Sequence, residues 1–394
     1  MKWYFIIGQA GTGKSWTLAK RISDAYDEKY KIVILAATHS AVNNIYTIVH
    51  DNFNSSIHSD CFKTLHSYFR INYKTGVVLG SQDKTIQKIF IDEFSLINKK
   101  LLKKCLLSLN GSCCSEITFC GDPLQLNPVP NIDESILVSR LRKYSKVSIS
   151  VVCHLELSLI SSELFKLAEK TVLTEQRRAN ETCIKILNDI YENKNYHQNF
   201  ITIEQVLKML ITENSEIIYI ASTYSMLQIV WNLVYNSNKE KYSVIIRQKP
   251  INGNDFTILY LYPNMKIIAT ETSDDYYNGE ELIYESFNKE LMILNLKRAC
   301  NGEPILMNKN ENNIFPIAPT YLSTIHKAQG KGYDSVIICV DNMFEITMLY
   351  TSITRARKNI YFYTKNYSKR METLEMSAHA EEWGELKKYI CNYY

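Results

Sequence analysis

Gly8-Gln9-Ala10-Gly11-Thr12-Gly13-Lys14-Ser15 stands between a short apolar run, Trp3–Ile7, and an amphipathic run, Lys14–Tyr26. A strand that breaks into a glycine-rich turn and restarts as a helix lets backbone N–H groups wrap phosphate oxygens. The positive end of the helix dipole assists them. The spacing G-x-x-x-x-G-K-[ST] adds Lys14 for the β- and γ-phosphates and Ser15 for Mg²⁺. Gly8, Gly11, Thr12 and Gly13 complete the candidate phosphate cradle. The bland alternative, an idle glycine turn, gives no reason for the strand before it and the helix behind it.

Working outward, short apolar strands keep alternating with amphipathic helices, the pattern of parallel α/β sheets. Lys31–Ala37 reads as a strand followed by a helix through Ile48, and Ile89–Asp92 and Ile117–Cys120 read as buried strands. A second set begins with Ile217–Ala221, a helix from Tyr224 to Val234, and the strands Ser335–Val340 and Ile360–Tyr363. Between Val244 and Phe315 the text turns β-like, with Gly, Asn and Pro turns. The expected fold is α/β, with two parallel-sheet halves joined by a helical stretch around Leu157–Asn193.

Composition sets the bounds. The chain's 394 residues, 46% hydrophobic and 22% charged, suit a multidomain globular protein with a sizeable core. A net charge of +4, from 45 basic and 41 acidic side chains, neither announces a polyanion ligand nor excludes a local basic groove. Ten cysteines without C-x-x-C spacing argue against a zinc site and for buried free thiols in a reducing compartment. No apolar run reaches the ~20 residues of a membrane helix. Met1–Ile7 leads straight into the phosphate loop and reads as a strand, not a signal peptide. An intracellular chain, in cytoplasm or nucleus and off the membrane, is the expectation.

Ile89-Phe90-Ile91-Asp92-Glu93 is an apolar strand ending in two acids. Beside a phosphate loop, Asp92 suits Mg²⁺ held through water, and Glu93 suits a general base that polarises the attacking water. Alone, such a strand end could be a solvated turn.

Four further blocks then follow in order. Gly121-Asp122-Pro123-Leu124-Gln125-Leu126 resembles the third helicase motif, and Leu173-Thr174-Glu175-Gln176-Arg177-Arg178 the fourth. Thr324-Ile325-His326-Lys327-Ala328-Gln329-Gly330 resembles the fifth motif, and Tyr350-Thr351-Ser352-Ile353-Thr354-Arg355-Ala356-Arg357 the sixth. Thr64-Leu65-His66-Ser67 resembles a block of the RecD-like branch. Pro263–Ile267 with Tyr277-Asn278-Gly279-Glu280 resembles that branch's SH3-like insertion, although the usual first glycine is missing. Together they identify the chain as similar to superfamily 1 helicases of the RecD-like, PIF-type branch.

That resemblance implies two RecA-like domains. One would span 1–160 with a small 1B insertion at about 68–87, the other 161–394 with a 2B insertion at about 244–315. It implies ATP and Mg²⁺ as cofactors, with Gln125 on the γ-phosphate, and Arg178 and Arg355 contributing arginines. Arg177 replaces the fourth motif's aromatic, so either of the two arginines there could act. Gln329 and Gly330 would face both nucleotide and strand. Thr38, His39, Thr64, His66 and His326 would face single-stranded DNA or RNA, held without reading sequence. Translocation would run 5′ to 3′, in a monomer assisted by replication or repair partners. Ile71–Gly80, turning at Lys74-Thr75-Gly76, would form a strand-separating pin or be an idle surface loop.

Competing readings are an RNA helicase, which Ala36–Val42 echoes, a phosphate-loop kinase, and a non-catalytic nucleic-acid scaffold. A kinase would lack Gln125, Arg178 and Arg355 in register, and a scaffold has little reason to keep Lys14, Asp92 and Glu93. No upstream glutamine motif for adenine precedes the loop, which leaves the choice of triphosphate open.

Overall fold

A computed structural model describes residues 1–72, 75–128, 157–175, 185–186, 200–212, 217–250, 255–341 and 346–365. In the first half, β1 (Lys2–Gly8), β2 (Ile32–Ala36), β3 (Phe62–Thr64), β4 (Lys88–Asp92), β5 (Glu116–Gly121) and β6 (Glu169–Leu173) make one parallel sheet. Its order is β3-β2-β4-β5-β1-β6. Every residue of β2 is buried, the mark of a strand covered on both faces. Helices α1 (Lys14–Asp27) and α2 (His39–Asn52) cover one face with Leu18, Ile22, Val42 and Ile45.

β6 corrects two expectations. It pairs with β1 from Tyr4↔Glu169 to Gly8↔Leu173, so the first sheet runs past residue 160. It is also a strand inside the expected helical join. The rest of that join, apart from short described pieces, lies outside the described residues, as does Arg178.

The second half is a smaller parallel sheet carrying an antiparallel insertion. β7 (Ile217–Ala221) is followed by α3 (Tyr224–Ser237) and then by the insertion. There β8 (Val244–Arg247) pairs with β9 (Ile258–Leu261). β10 (Lys266–Ala269), β11 (Glu281–Asn288), β12 (Ile293–Arg298), β13 (Pro304–Met307) and β14 (Ile317–Pro319) form a five-stranded antiparallel sheet. The insertion therefore continues to Pro319, a few residues beyond Phe315. β15 (Leu322–Thr324), the short helix α4 (Ile325–Ala328), β16 (Tyr333–Cys339), α5 (Ile346–Ile353) and β17 (Ala356–Tyr363) complete the half, in sheet order β15-β7-β16-β17.

A small hairpin stands where the first insertion was expected. Ile71 bridges Val78 in antiparallel register, Asn72 N donates to Val77 O at 2.9 Å, and Gly76 turns the chain at φ +63°. Among the described cysteines four are buried, but Cys113 and Cys300 are exposed. No helix among the described residues is long and apolar enough to cross a membrane.

The loop after β5 locks the halves together. Leu124 and Leu126 belong to the first half in sequence, yet they pack in one apolar cluster with Ile218, Ile220, Ile325, Val336 and Leu349 of the second. Leu126 is 2% exposed. Leu126→Ala should cost ~2–5 kcal/mol through the cavity it leaves. An unchanged Tm on thermal unfolding would mean that the loop lies on the second core, not in it.

Candidate functional site between the two halves

The phosphate loop connects β1 to α1 with Gly11 and Gly13 both left-handed, at φ +87° and +85°. Gly8 has no room for a side chain: a Cβ there would stand 2.7 Å from the Leu173 carbonyl oxygen. Thr12 donates to the Gln9 carbonyl at 2.8 Å, and Lys14 Nζ donates to the same oxygen at 2.8 Å. The loop is thus closed on itself, with the Lys14 ammonium drawn back over it.

Asp92 ends β4 beside that loop. Its Oδ2 accepts from Ser15 Oγ at 3.3 Å and its Oδ1 from Glu93 N at 2.9 Å. Glu93 sits at φ +54°, a strained conformation for a residue with a Cβ and one found preferentially at functional sites. Its Oε2 is buried with no hydrogen-bond partner. Burial, then repulsion from Asp92, raises Glu93 to about 7, against the pull of Lys14 and Arg355. Burial also pushes Asp92 upward, opposed by the Glu93 amide, the Cys120 thiol, Lys14 and Ser15. Hard oxygen donors beside an orphaned carboxylate oxygen fit a small divalent cation that keeps water and phosphate as its other ligands. Among the described residues no group of three or more His, Cys, Asp or Glu could hold a metal alone.

From the second half, Arg355 reaches the same place. It is 5% exposed, with Nε on Thr351 O at 3.0 Å, Nη1 on Lys331 O at 3.2 Å and Nη2 on Thr354 Oγ1 at 3.1 Å. Burial lowers its pKa, while Glu93 and Asp122 pull it back up. Gln125 is buried; its Oε1 accepts from Gln329 Nε2 at 3.2 Å, and its own Nε2 donates to Asp122 at 3.4 Å. Lys14, Ser15, Asp92, Glu93, Gln125, Gln329 and Arg355 are therefore gathered between the halves, and Gly330 turns beside them at φ +79°.

A cleft of about 1170 Å³ opens from this site, lined by Thr38, His39, Thr64, His66 and His326 and by Gln329, Lys331 and Tyr333. All five strand-facing residues expected from sequence line it. Two of them also build local structure. Thr38 Oγ1 accepts from Ala41 N at 3.2 Å, and Thr64 Oγ1 from Ser67 N at 3.2 Å, as helix N-caps. Each hydroxyl keeps its proton to donate elsewhere. The three histidines touch solvent at the mouth yet are crowded enough for burial to lower their pKa values, which keeps them neutral at pH 7.

The insertion forms the facing wall, where Thr270 and Tyr276 line the cleft, and the Tyr277 ring beside it lies 6.1 Å from His39. Lys327 joins that wall to α4. Its Nζ donates to Thr270 O at 3.1 Å, and burial lowers it to about 8 against the attraction of Asp255 and Glu271. Neither Lys327 nor Asp122 was singled out from sequence, although both lie inside motif blocks that could have flagged them.

Two family models match parts of the chain, an AAA domain over residues 1–131 and a UvrD-like helicase C-terminal domain over 319–363. A Campylobacter jejuni protein named ATP-dependent DNA helicase Pif1 is 23% identical over 419 residues, covering 89% of this chain and 86% of that protein. An uncharacterized protein of Methanocaldococcus jannaschii is 24% identical over 441 residues, 90% of this chain; the chain spans only 36% of that relative. A crystal structure of Pif1 helicase from Bacteroides in complex with ADP-AlF3 and ssDNA shares the fold. Its TM-score is 0.58 at 19% identity, over 98% of this chain and 94% of that one.

The raised Glu93 makes a stability prediction for protein free of nucleotide and divalent cation. With its folded pKa near 7 and its ordinary value 4.5, Glu93 holds a proton that the unfolded chain releases. Stability from this group is present below pH 4.5 and is lost as pH rises through 7. Glu93→Gln should therefore raise Tm at pH 8, and the gain should fade toward pH 5. A gain equal at both pH values would contradict the burial argument.

Proposed function

We propose that this chain, a superfamily 1 helicase of the Pif1 type, hydrolyses ATP to move along single-stranded DNA and separate duplexes. One observation carries the reading: Gln329 lines the cleft and also donates to Gln125 in the nucleotide site. A strand in the cleft and a γ-phosphate in the loop would act on one pair of side chains.

In this reading the backbone of residues 8–15 and Lys14 bind the triphosphate. Ser15 and Asp92 would hold Mg²⁺, which neutralises phosphate charge when bound. Glu93, ionised above about pH 7, takes a proton from the attacking water, close to where a general base works best. Arg355 stabilises charge on the leaving phosphate, a role worth about 10³–10⁵ in rate. Arg178 would be its partner, and Gln125 would report loss of the γ-phosphate. Because the donors come from both halves, nucleotide binding favours a closed cleft and hydrolysis releases it.

Thr38, Thr64 and the neutral His39, His66 and His326 would hold the strand by hydrogen bonds and stacking, which suits binding without sequence preference. Movement 5′ to 3′, in a monomer working with replication or repair proteins inside the cell, goes with this reading. DNA is preferred over RNA because the Thr64–Ser67 block and the Tyr277–Glu280 segment follow the RecD-like pattern. The hairpin 71–80 suits a pin: Val77 and Leu79 are 50% and 68% exposed along its returning arm, while Arg70 Nε ties its base to Gly80 O at 3.3 Å.

Steady-state ATPase with and without single-stranded DNA or RNA tests the motor. DNA should stimulate turnover strongly, and Glu93→Gln should lower it ~10²–10⁴-fold. Stronger stimulation by RNA would move the assignment to an RNA helicase; stimulation by neither would end the motor reading. Deleting residues 71–80 should abolish unwinding and leave strand-stimulated ATPase in place. Loss of both activities would count against a pin.

A further inference from the structure

Asp122 is a fully buried carboxylate outside the catalytic roles assigned above. Such a group is costly to bury unless its oxygens are satisfied. Oδ1 accepts from Leu124 N at 3.0 Å, within its own loop. Oδ2 accepts from Gln125 Nε2 at 3.4 Å and, more tightly, from the Tyr350 hydroxyl at 2.8 Å. Tyr350 is 228 residues away in sequence, 2% exposed, and carried on α5 in the second half.

The next residue on α5 makes the matching contact. Thr351 Oγ1 accepts from Leu126 N at 3.0 Å, and the Thr351 carbonyl accepts from Arg355 Nε at 3.0 Å. Gln125 is thus bracketed: Tyr350 holds the residue at one side of it, Asp122, and Thr351 holds Leu126 at the other. The same turn of α5 fixes Arg355. These bonds connect the Gln125 loop to the turn that holds Arg355, and Gln329 connects Gln125 to the cleft.

We infer that Tyr350 is a positioning residue whose hydroxyl, through Asp122, keeps Gln125 and Arg355 in one register, so that strand engagement is converted into faster hydrolysis. This rests on the motor reading above. Removing the hydroxyl leaves the ring in the apolar cluster and takes away the link alone, which makes Tyr350→Phe the informative change.

The experiment measures kcat and KM for ATP with and without single-stranded DNA, alongside Tm, for the parent chain and Tyr350→Phe. The expected result is a stimulation factor (kcat with strand over kcat without) reduced at least fivefold, with KM for ATP within twofold. A merely structural role would lower Tm and both kcat values together, leaving the factor unchanged, and that result overturns the inference. Should Tyr350→Phe not fold, Thr351→Val removes the companion bond to Leu126 and carries the same expectation and the same overturning result. A parent chain that ignores single strands overturns the motor reading and this inference with it. A stimulated parent beside an equally stimulated Tyr350→Phe overturns the inference alone.

Discussion

The structure depends on one act of burial: the Gly121–Leu126 loop leaves the first sheet and inserts its leucines into the core of the second half. Apolar burial is non-directional and would tolerate sliding of the loop in its socket. The directional part comes from three hydrogen bonds that accompany it, from Tyr350 to Asp122, from Leu126 to Thr351 and from Gln329 to Gln125. Leucines supply the attachment and polar groups supply the register. Gln125 is thereby tied to the second half both directly and through the two residues that flank it in the loop.

The nucleotide site has the opposite character. Asp92 and Glu93 are adjacent acids, the first buried and the second half-buried with its Oε2 sealed from solvent, and the left-handed backbone at Glu93 stores further cost. Lys14, Ser15 and the Glu93 amide offset only part of it. Protein interiors carry such arrangements where charge is needed for chemistry. The raised Glu93 and the opposing pull of Arg355 on it are two aspects of one field, since the acid comes from the first half and the cation from the second. The guanidinium favours the ionised carboxylate, whereas burial and the neighbouring Asp92 favour the protonated one.

Much of this was legible in the sequence, because local pattern and local structure coincide there. The glycine spacing of residues 8–15, the all-apolar β2 and the acids ending β4 announce themselves without tertiary knowledge. Thr38, His39, Thr64, His66 and His326, drawn from three separate blocks by resemblance, line one cleft. What escaped was long-range. β6 reads Glu-Lys-Thr-Val-Leu with no fully buried residue at the sheet edge, so no apolar run marked it as a strand, and the first sheet ends later than expected. The Asp122–Tyr350 bond joins residues of two blocks that look independent on the page. Lys327 appears as a basic motif residue, whereas its surroundings make it a half-buried tether to the insertion.

That tether bears on how the cleft can work. A wall built on β10 and the loop after it is attached to α4 through Lys327, and α4 presents His326 to the cleft and leads directly into Gln329. Burial makes the Lys327 ammonium expensive, and Asp255 and Glu271 recover part of that cost only while the insertion is docked. The insertion is thereby linked to the element that reports to the nucleotide. On the other side, His39 and Tyr277 bring the first half's α2 against the same insertion. A chain of polar contacts therefore runs from the insertion through Lys327 and α4 to Gln329, and from Gln329 to Gln125 in the loop of the first half.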